Sequence, residues 1–268
     1  MGLIPPFFLD SVVAIGIGEP TSISWFASGF LYGSYAPSPK QPNRYEVFLI
    51  TNRHVFEGKE TVWLRFNPKK ADQPARPFLL SLFENKKPSW LSQQDNSIDV
   101  AVIPINVRLL TEQQMEFNYF RSNLHVADVK KLNELGIMEG DFAYVLGFPM
   151  GIVGERRSTV IVRRAAIARI RDALDKSSND FLIDAFIFPG NSGGPVVSKP
   201  EAISIHGTKS QSASYLIGIV RSHVSYRDVA VSRQTNLPRV IFEENSGLAT
   251  VHPVDSFQEI IPRFREKE

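Results

Sequence analysis

The sequence has no cysteine. That absence removes disulfide scaffolds, thiol nucleophiles, iron–sulfur clusters and thiolate zinc sites together. Folding then has no need of an oxidising compartment. An excess of one charge is also lacking: 30 Lys and Arg face 28 Asp and Glu, a formal net charge of +2. Nucleic-acid affinity rests on neutralising many phosphates, so nucleic acid is not expected as a partner. No uncharged apolar run reaches about eighteen residues, so no membrane-spanning helix is expected. No Lys or Arg precedes Lys40, so the basic region of a secretory signal is not seen, and a cytoplasmic protein is expected. Histidines number five, and His125, His206, His223 and His252 show no metal-ligand spacing. Each of these four is assigned a surface or core role, and no metal or cofactor is expected.

What is present is an ordinary globular composition over 268 residues, 43% hydrophobic and 22% charged. That length suits one large domain or two subdomains with a proper core. Short apolar and β-branched runs recur between turn-rich stretches. They are Val12–Ile17, Ala27–Tyr32, Glu46–Thr51, Thr61–Phe66, Phe78–Phe83 and Asp99–Ile105. They resume at Asp141–Leu146, Thr159–Ile170, Phe181–Phe186, Gly194–Ser198, Tyr215–Val220 and Leu248–Val251. Strands at this spacing predict an all-β protein, an antiparallel barrel or sandwich rather than alternating β and α units. The two groups of about six suit two small barrels: 10–105, then a connector over 106–140, then 141–252, with a tail over 253–268. Helices are expected near Glu112–Phe120, from a Thr111/Gln114 capping box, and over Asp128–Leu135, ended by Gly136. A last short helix is expected from Asp255, ended by Pro262.

Three segments carry chemistry. They are Thr51-Asn52-Arg53-His54-Val55, Asp99-Val100-Ala101-Val102, and Pro189-Gly190-Asn191-Ser192-Gly193-Gly194-Pro195. Each alone is ordinary: a histidine at a strand end, an acid opening a strand, a glycine-rich loop. Together they supply what a serine hydroxyl needs to act as a nucleophile. His54 is the base, a role that suits histidine because a free imidazole titrates near neutrality. Asp99 serves as the carboxylate that fixes its tautomer. The glycines allow a sharp turn that aims the N–H groups of Gly190 and Ser192 at a developing oxyanion. The chain order His, Asp, Ser separates this arrangement from subtilisin-type and α/β-hydrolase orders.

These boxes make the chain resemble trypsin-like serine proteases of the chymotrypsin clan, most closely the cysteine-free bacterial type of the Deg/HtrA protease domains. Ser28-Gly29-Phe30-Leu31, Gly140-Asp141, Leu146-Gly147-Phe148-Pro149, Asp184-Ala185 and Leu216–Val220 match further, so the resemblance runs from about Asp10 to Phe264. It implies a chymotrypsin-like fold of two antiparallel six-stranded barrels, with the site in the cleft between them. It implies a serine endopeptidase with catalytic His54, Asp99 and Ser192, an oxyanion hole at Gly190, Asn191 and Ser192, and a peptide or protein substrate. Substrate-binding positions by resemblance are Phe186, Ile187, Pro189, Arg221, Ser222, His223 and Gly247. With apolar Phe186 and Ile187 and no Asp at the base, an apolar primary pocket is expected; Arg221 and His223 favouring an acidic residue is the alternative. Substrate backbone is expected to pair with the Arg221–His223 edge as an added strand.

Three features depart from the family. No PDZ segment follows within the sequence. Asn191 replaces the aspartate that receives a new N-terminal ammonium in trypsin-type zymogens, so no such activation is expected. Arg221 stands where many relatives keep a small residue supporting the catalytic acid. A latent or non-catalytic barrel that binds a peptide or protein is the competing reading. The basic cluster Arg156, Arg157, Arg163, Arg164, Arg169 and Arg171 is expected to be a solvated face, with Arg163, Arg169 and Arg171 on one side of a strand; docking of an acidic regulator is the alternative. Nothing in the sequence fixes an oligomeric state.

Overall fold

Apolar runs of the kind Val-Val-Ala-Ile and Phe-Leu-Tyr suggest strands buried on both faces, and the computed structural model, which describes residues 3–201 and 209–266, bears this out. Twelve strands of four or more residues occur among the described residues. The first six are β1 (Val12–Glu19), β2 (Ser22–Tyr35), β3 (Tyr45–Thr51), β4 (Thr61–Pro68), β5 (Arg76–Ser81) and β6 (Ala101–Pro104). The second six are β7 (Phe142–Gly147), β8 (Ile161–Arg169), β9 (Phe181–Asp184), β10 (Pro195–Ser198), β11 (Leu216–Val231) and β12 (Pro238–Pro253).

The first sheet runs in hydrogen-bonded order β5-β4-β1-β2-β3-β6, these six antiparallel, with short two-residue strands added, of which Phe120–Arg121 runs parallel to Tyr32–Gly33. Side chains alternate between two cores. Val13, Ile15, Leu31, Leu49 and Ile103 point into the N-terminal half. Val12, Ala14, Phe30, Tyr32, Phe48, Ile50 and Val102 point the other way. There they meet Leu146, Phe148, Val197, Leu216 and Ile219 of the second half, and Phe257 and Ile260 of the tail. The shared apolar layer fixes the two halves against each other. The second half closes into a six-stranded barrel in the order β7-β8-β9-β12-β11-β10. Ala143, Val145, Ile167, Ile183, Ile217 and Val251 fill its interior.

Several boundaries depart from the sequence expectation. Thr111 and Gln114 do not cap a helix over Glu112–Phe120. Asn106 caps Val107–Glu112 instead, accepting from Leu109 N–H at 3.2 Å. Gln114 then takes φ +57°, and Met115–Glu116 pairs with Pro68 and Asn67. Burying Met115 in the N-terminal core decides this. The connector helix Val129–Leu135 forms as expected, with Asp128 accepting from Lys131 N–H at 2.8 Å and Gly136 at φ +74°. Asp255 does not cap the last helix; it opens the helix Asp255–Gln258 and accepts from the first N–H of the connector helix, Val129, at 2.9 Å, tying the tail to the connector. Pro262 does not stop that helix but opens another turn, Pro262–Arg265.

β11 and β12 are each sixteen residues long, far beyond Tyr215–Val220 and Leu248–Val251. Past Ser225 and Asn245 they pair only with each other, as a ribbon turned at Asn236, φ +53°. The arginine cluster is not one face. Arg157 donates to Pro68 O (3.0 Å) and pairs with Glu116 (2.8 Å), and Arg156 donates to Asp72 O. Arg169 pairs with Asp172, and Arg171, which opens a helical turn, pairs with Glu139. A bulge between Ile167 and Arg169 breaks the expected alternation. No helix among the described residues is long and apolar enough to cross a membrane.

Candidate active site

The His54 segment follows β3 and turns at once into the four-residue helix Arg53–Phe56. Thr51 donates its hydroxyl to Ser28 O at 2.8 Å, and Asn52 Nδ2 donates to Asp99 O at 2.7 Å. Asp99 stands just before β6, which pairs with β3 through Thr51 and Ala101. Adjacent strand ends therefore bring His54 and Asp99 together. His54 Nδ1 lies 2.6 Å from Asp99 Oδ2, and His54 N–H donates to Oδ1 at 3.1 Å. A carboxylate only accepts, so the ring proton belongs on Nδ1 and Nε2 is left as an acceptor. The His54 side chain is 49% exposed and that of Asp99 16%. Burial alone pushes the Asp99 pKa up. The hydrogen bonds and charge of His54, with a smaller contribution from His252, outweigh it and hold the carboxyl below its usual range.

The Ser192 segment crosses from the barrel and packs directly on the first sheet. A Cβ on Gly193 would lie 2.2 Å from Ser28 O and 2.3 Å from Thr51 Oγ1, and Gly193 has φ +82°. Only glycine lets the loop approach the base of the His54 segment this closely. Four consecutive carbonyls of the loop are anchored. Pro189 O accepts from Met150 N–H (2.6 Å), Gly190 O from Ser28 Oγ (2.6 Å), Asn191 O from Gly194 N–H (2.9 Å) and Ser192 O from Ser28 N–H (2.9 Å). A peptide plane with its carbonyl fixed has its N–H fixed in the opposite direction. Asn191 N–H is used on Phe188 O (3.0 Å) and Gly193 N–H on Val220 O (3.1 Å). The alternate pair, Gly190 N–H and Ser192 N–H, donates to no acceptor among the described residues. Two aimed, unused amides flanking a hydroxyl can bind a negative oxygen. No hydrogen bond joins Ser192 Oγ to His54 Nε2, so the structure does not itself complete that contact.

The other expected positions divide. Phe186 is 57% exposed, and a Cβ on Gly247 would meet its ring at 3.8 Å. Pro189, Ser222 and part of His223 are open to solvent. Ile187 is turned into the barrel core and is 2% exposed, so its side chain offers no pocket wall. Its carbonyl instead accepts from Asn245 Nδ2 at 2.6 Å. Arg221 sits at a bulge between Val220 and Ser222 and pairs with Asp180 at 2.9 Å. Its guanidinium is thereby engaged away from an acidic substrate side chain. Asn191 is 1% exposed and neither of its amide atoms has a partner. Residue 206 lies outside the described residues.

Sequence reading missed Ser28 and His252. Ser28 is fully buried, and its hydroxyl also accepts from Phe148 N–H at 2.9 Å, so one residue pins the first sheet, the barrel and the loop. Its only sequence signal is the Ser-Gly-Phe match. His252 is an isolated histidine in an apolar strand and gives no signal.

Residues 27–202 match the model of the trypsin-like peptidase domain family. A solved structure, an HtrA-type protease AlgW with decapeptide, is similar at a TM-score of 0.52 and 16% identity. The similarity covers 97% of this chain and 66% of that one, so the chain spans slightly under two thirds of that structure. No curated protein matches. With more than half its length covered by the family model, and a fold that agrees, the chain belongs to the trypsin-like peptidase family.

Proposed function

We propose that the chain is a serine endopeptidase with His54, Asp99 and Ser192 as its triad. Ser192 Oγ attacks the scissile carbonyl while His54 Nε2 takes its proton. The carbonyl oxygen becomes an oxyanion and is received by Gly190 N–H and Ser192 N–H. His54 returns the proton to the leaving amine, and an acyl-enzyme remains. Water, deprotonated by the same nitrogen, then releases the acid and restores Ser192. Asp99 holds the Nδ1–H tautomer and stabilises the imidazolium. The observation that carries this reading is the alternation of used and unused amides from Gly190 to Gly193, beside a histidine whose Nε2 is left free.

The primary pocket is proposed to prefer a small or medium apolar residue. Exposed Phe186 beside Gly247 and the engagement of Arg221 by Asp180 support that preference over an acidic one. The open Ser192–His54 contact favours, as the second reading, a latent enzyme whose site closes on binding a peptide. A peptide-library digest tests both. Cleavage by the wild type and none by Ser192→Ala is expected, with apolar residues dominating before the scissile bond. Dominant cleavage after Arg would refute the pocket; an inert wild type would refute endopeptidase action without a partner.

A further inference from the structure

His252 has no place in the proposed reaction, yet it is fully buried and touches the catalytic acid. Its Nε2 accepts the backbone N–H of Asp99 at 3.0 Å. Its Nδ1 faces Asp180 Oδ1, with Asn179 O at 3.4 Å. The other Asp180 oxygen accepts from Arg221 Nη1 at 2.9 Å. An N–H can only donate, so Nε2 carries no proton and the ring proton belongs on Nδ1, toward the carboxylate. The charged groups against the ring are Asp180, from the loop before β9, and Asp99, with Arg221 of β11 behind Asp180. The chain of contacts Arg221–Asp180–His252–Asp99–His54 thus contains a second acid–imidazole pair. It parallels the Asp99–His54 pair, except that Asp180 Oδ1 touches the ring without hydrogen-bond geometry and the ring ends on a backbone amide instead of a nucleophile.

Asp99 is gripped at every polar group. Its carbonyl is held by Asn52, its carboxylate by His54 and its amide by His252. Asn52 and His54 both belong to the His54 segment, so they move with the base and cannot by themselves fix where the acid stands. His252, on β12 of the second barrel, is the independent reference. β12 also lies beside β11, which carries Arg221.

We propose that His252, oriented by Asp180 and Arg221, is a positioning residue that sets the Asp99 backbone, and through it the His54 ring, relative to the Ser192 loop. The inference rests on the endopeptidase reading above. It also gives a role to Arg221, which occupies the place where relatives support the acid with a small residue: support here reaches the acid's main chain by way of Asp180 and His252.

The test is the rate of covalent labelling by a fluorophosphonate probe, resolved into its saturating rate and half-saturating concentration. It is run on the wild type, Ser192→Ala, His252→Asn and His252→Gln, with thermal melting as the fold control. An Asn amide reaches only the Nδ1 position and leaves Asp99 N–H unpaired; a Gln carbonyl reaches the Nε2 position. His252→Asn should lower the saturating rate at least about tenfold with little change in half-saturation. His252→Gln should recover most of that loss. A wild type that does not label overturns the endopeptidase reading, whatever His252 does. A labelling wild type with His252→Asn within twofold of it overturns this inference alone. Equal losses in both variants do so as well, because core filling would then suffice. If neither variant folds, nitrogen NMR of the wild type decides: a proton on His252 Nδ1 supports the proposal, and one on Nε2 overturns it.

Discussion

Ser28→Ala removes one oxygen and disconnects three segments. The hydroxyl donates to Gly190 O and accepts from Phe148 N–H, and both partners are buried with it. A buried polar group left unpaired costs about 1–3 kcal/mol. With two such groups and partial relaxation, the loss should be on the order of 2–4 kcal/mol. For a domain of this size that is a fall of roughly 5–12 °C in melting temperature. It lies within a typical folding free energy of about 5–15 kcal/mol, so the variant should still fold. Ser28 N–H still holds Ser192 O, since it belongs to the main chain. Only Gly190 O is released, so the Gly190–Asn191 peptide, which links the two peptides that carry Gly190 N–H and Ser192 N–H, is left held by Asn191 N–H on Phe188 O alone. Loosening that link misaims the donors on either side, and the loss in rate is bounded by the factor of about 10²–10³ that removing one oxyanion donor typically costs. Melting followed by circular dichroism, with probe labelling at a temperature where both proteins are folded, separates the two effects. A variant that melts with the wild type and labels at the same rate would refute the argument that Ser28 anchors the loop.

Gly193→Ala should abolish labelling and destabilise the fold, because its Cβ would strike Ser28 O and Thr51 Oγ1 at a left-handed φ. Gly58→Ala, at φ +72° with open space around it, should cost only the backbone penalty of about 1–2 kcal/mol. Equal melting of the two variants would contradict this contrast. His125 packs on Phe7 and Phe8 and accepts from Arg121 N–H; burial, then the Arg121 charge, lower its pKa from 6.5 to about 4. The folded state therefore binds fewer protons than the unfolded state between those values, so stability falls as pH drops from 6.5 toward about 4. His125→Gln should flatten the urea midpoint over that window; an unchanged slope would exclude His125 as its source.

The strands were legible because burial on two faces writes itself as unbroken apolar runs, as in Val12–Ile15 and Phe48–Ile50. The ribbon beyond Ser225 was not, since Arg227, Asp228, Glu243 and Glu244 interrupt its apolar residues and no core sets a period. The helix expected from Thr111 and Gln114 failed because Asn106 offers an equally good cap one turn earlier. His54, Asp99 and Ser192 stood out through neighbours that are themselves needed locally, since Thr51, Asn52 and Gly193 tie the segments to Ser28 and to Asp99. The side-chain directions of Ile187 and Arg221 were not legible because they depend on burial and on a bulge, neither of which spacing reveals. His252 was invisible because its partners are remote in the chain: Asp99 lies 153 positions away and Asp180 in a separate loop.

The most direct measurement is peptide mapping by mass spectrometry after reaction with a fluorophosphonate. One covalent phosphonyl group should appear, on Ser192, and disappear in His54→Ala as well as in Ser192→Ala. A modification on any other residue, or one that survives the loss of His54, would contradict the account.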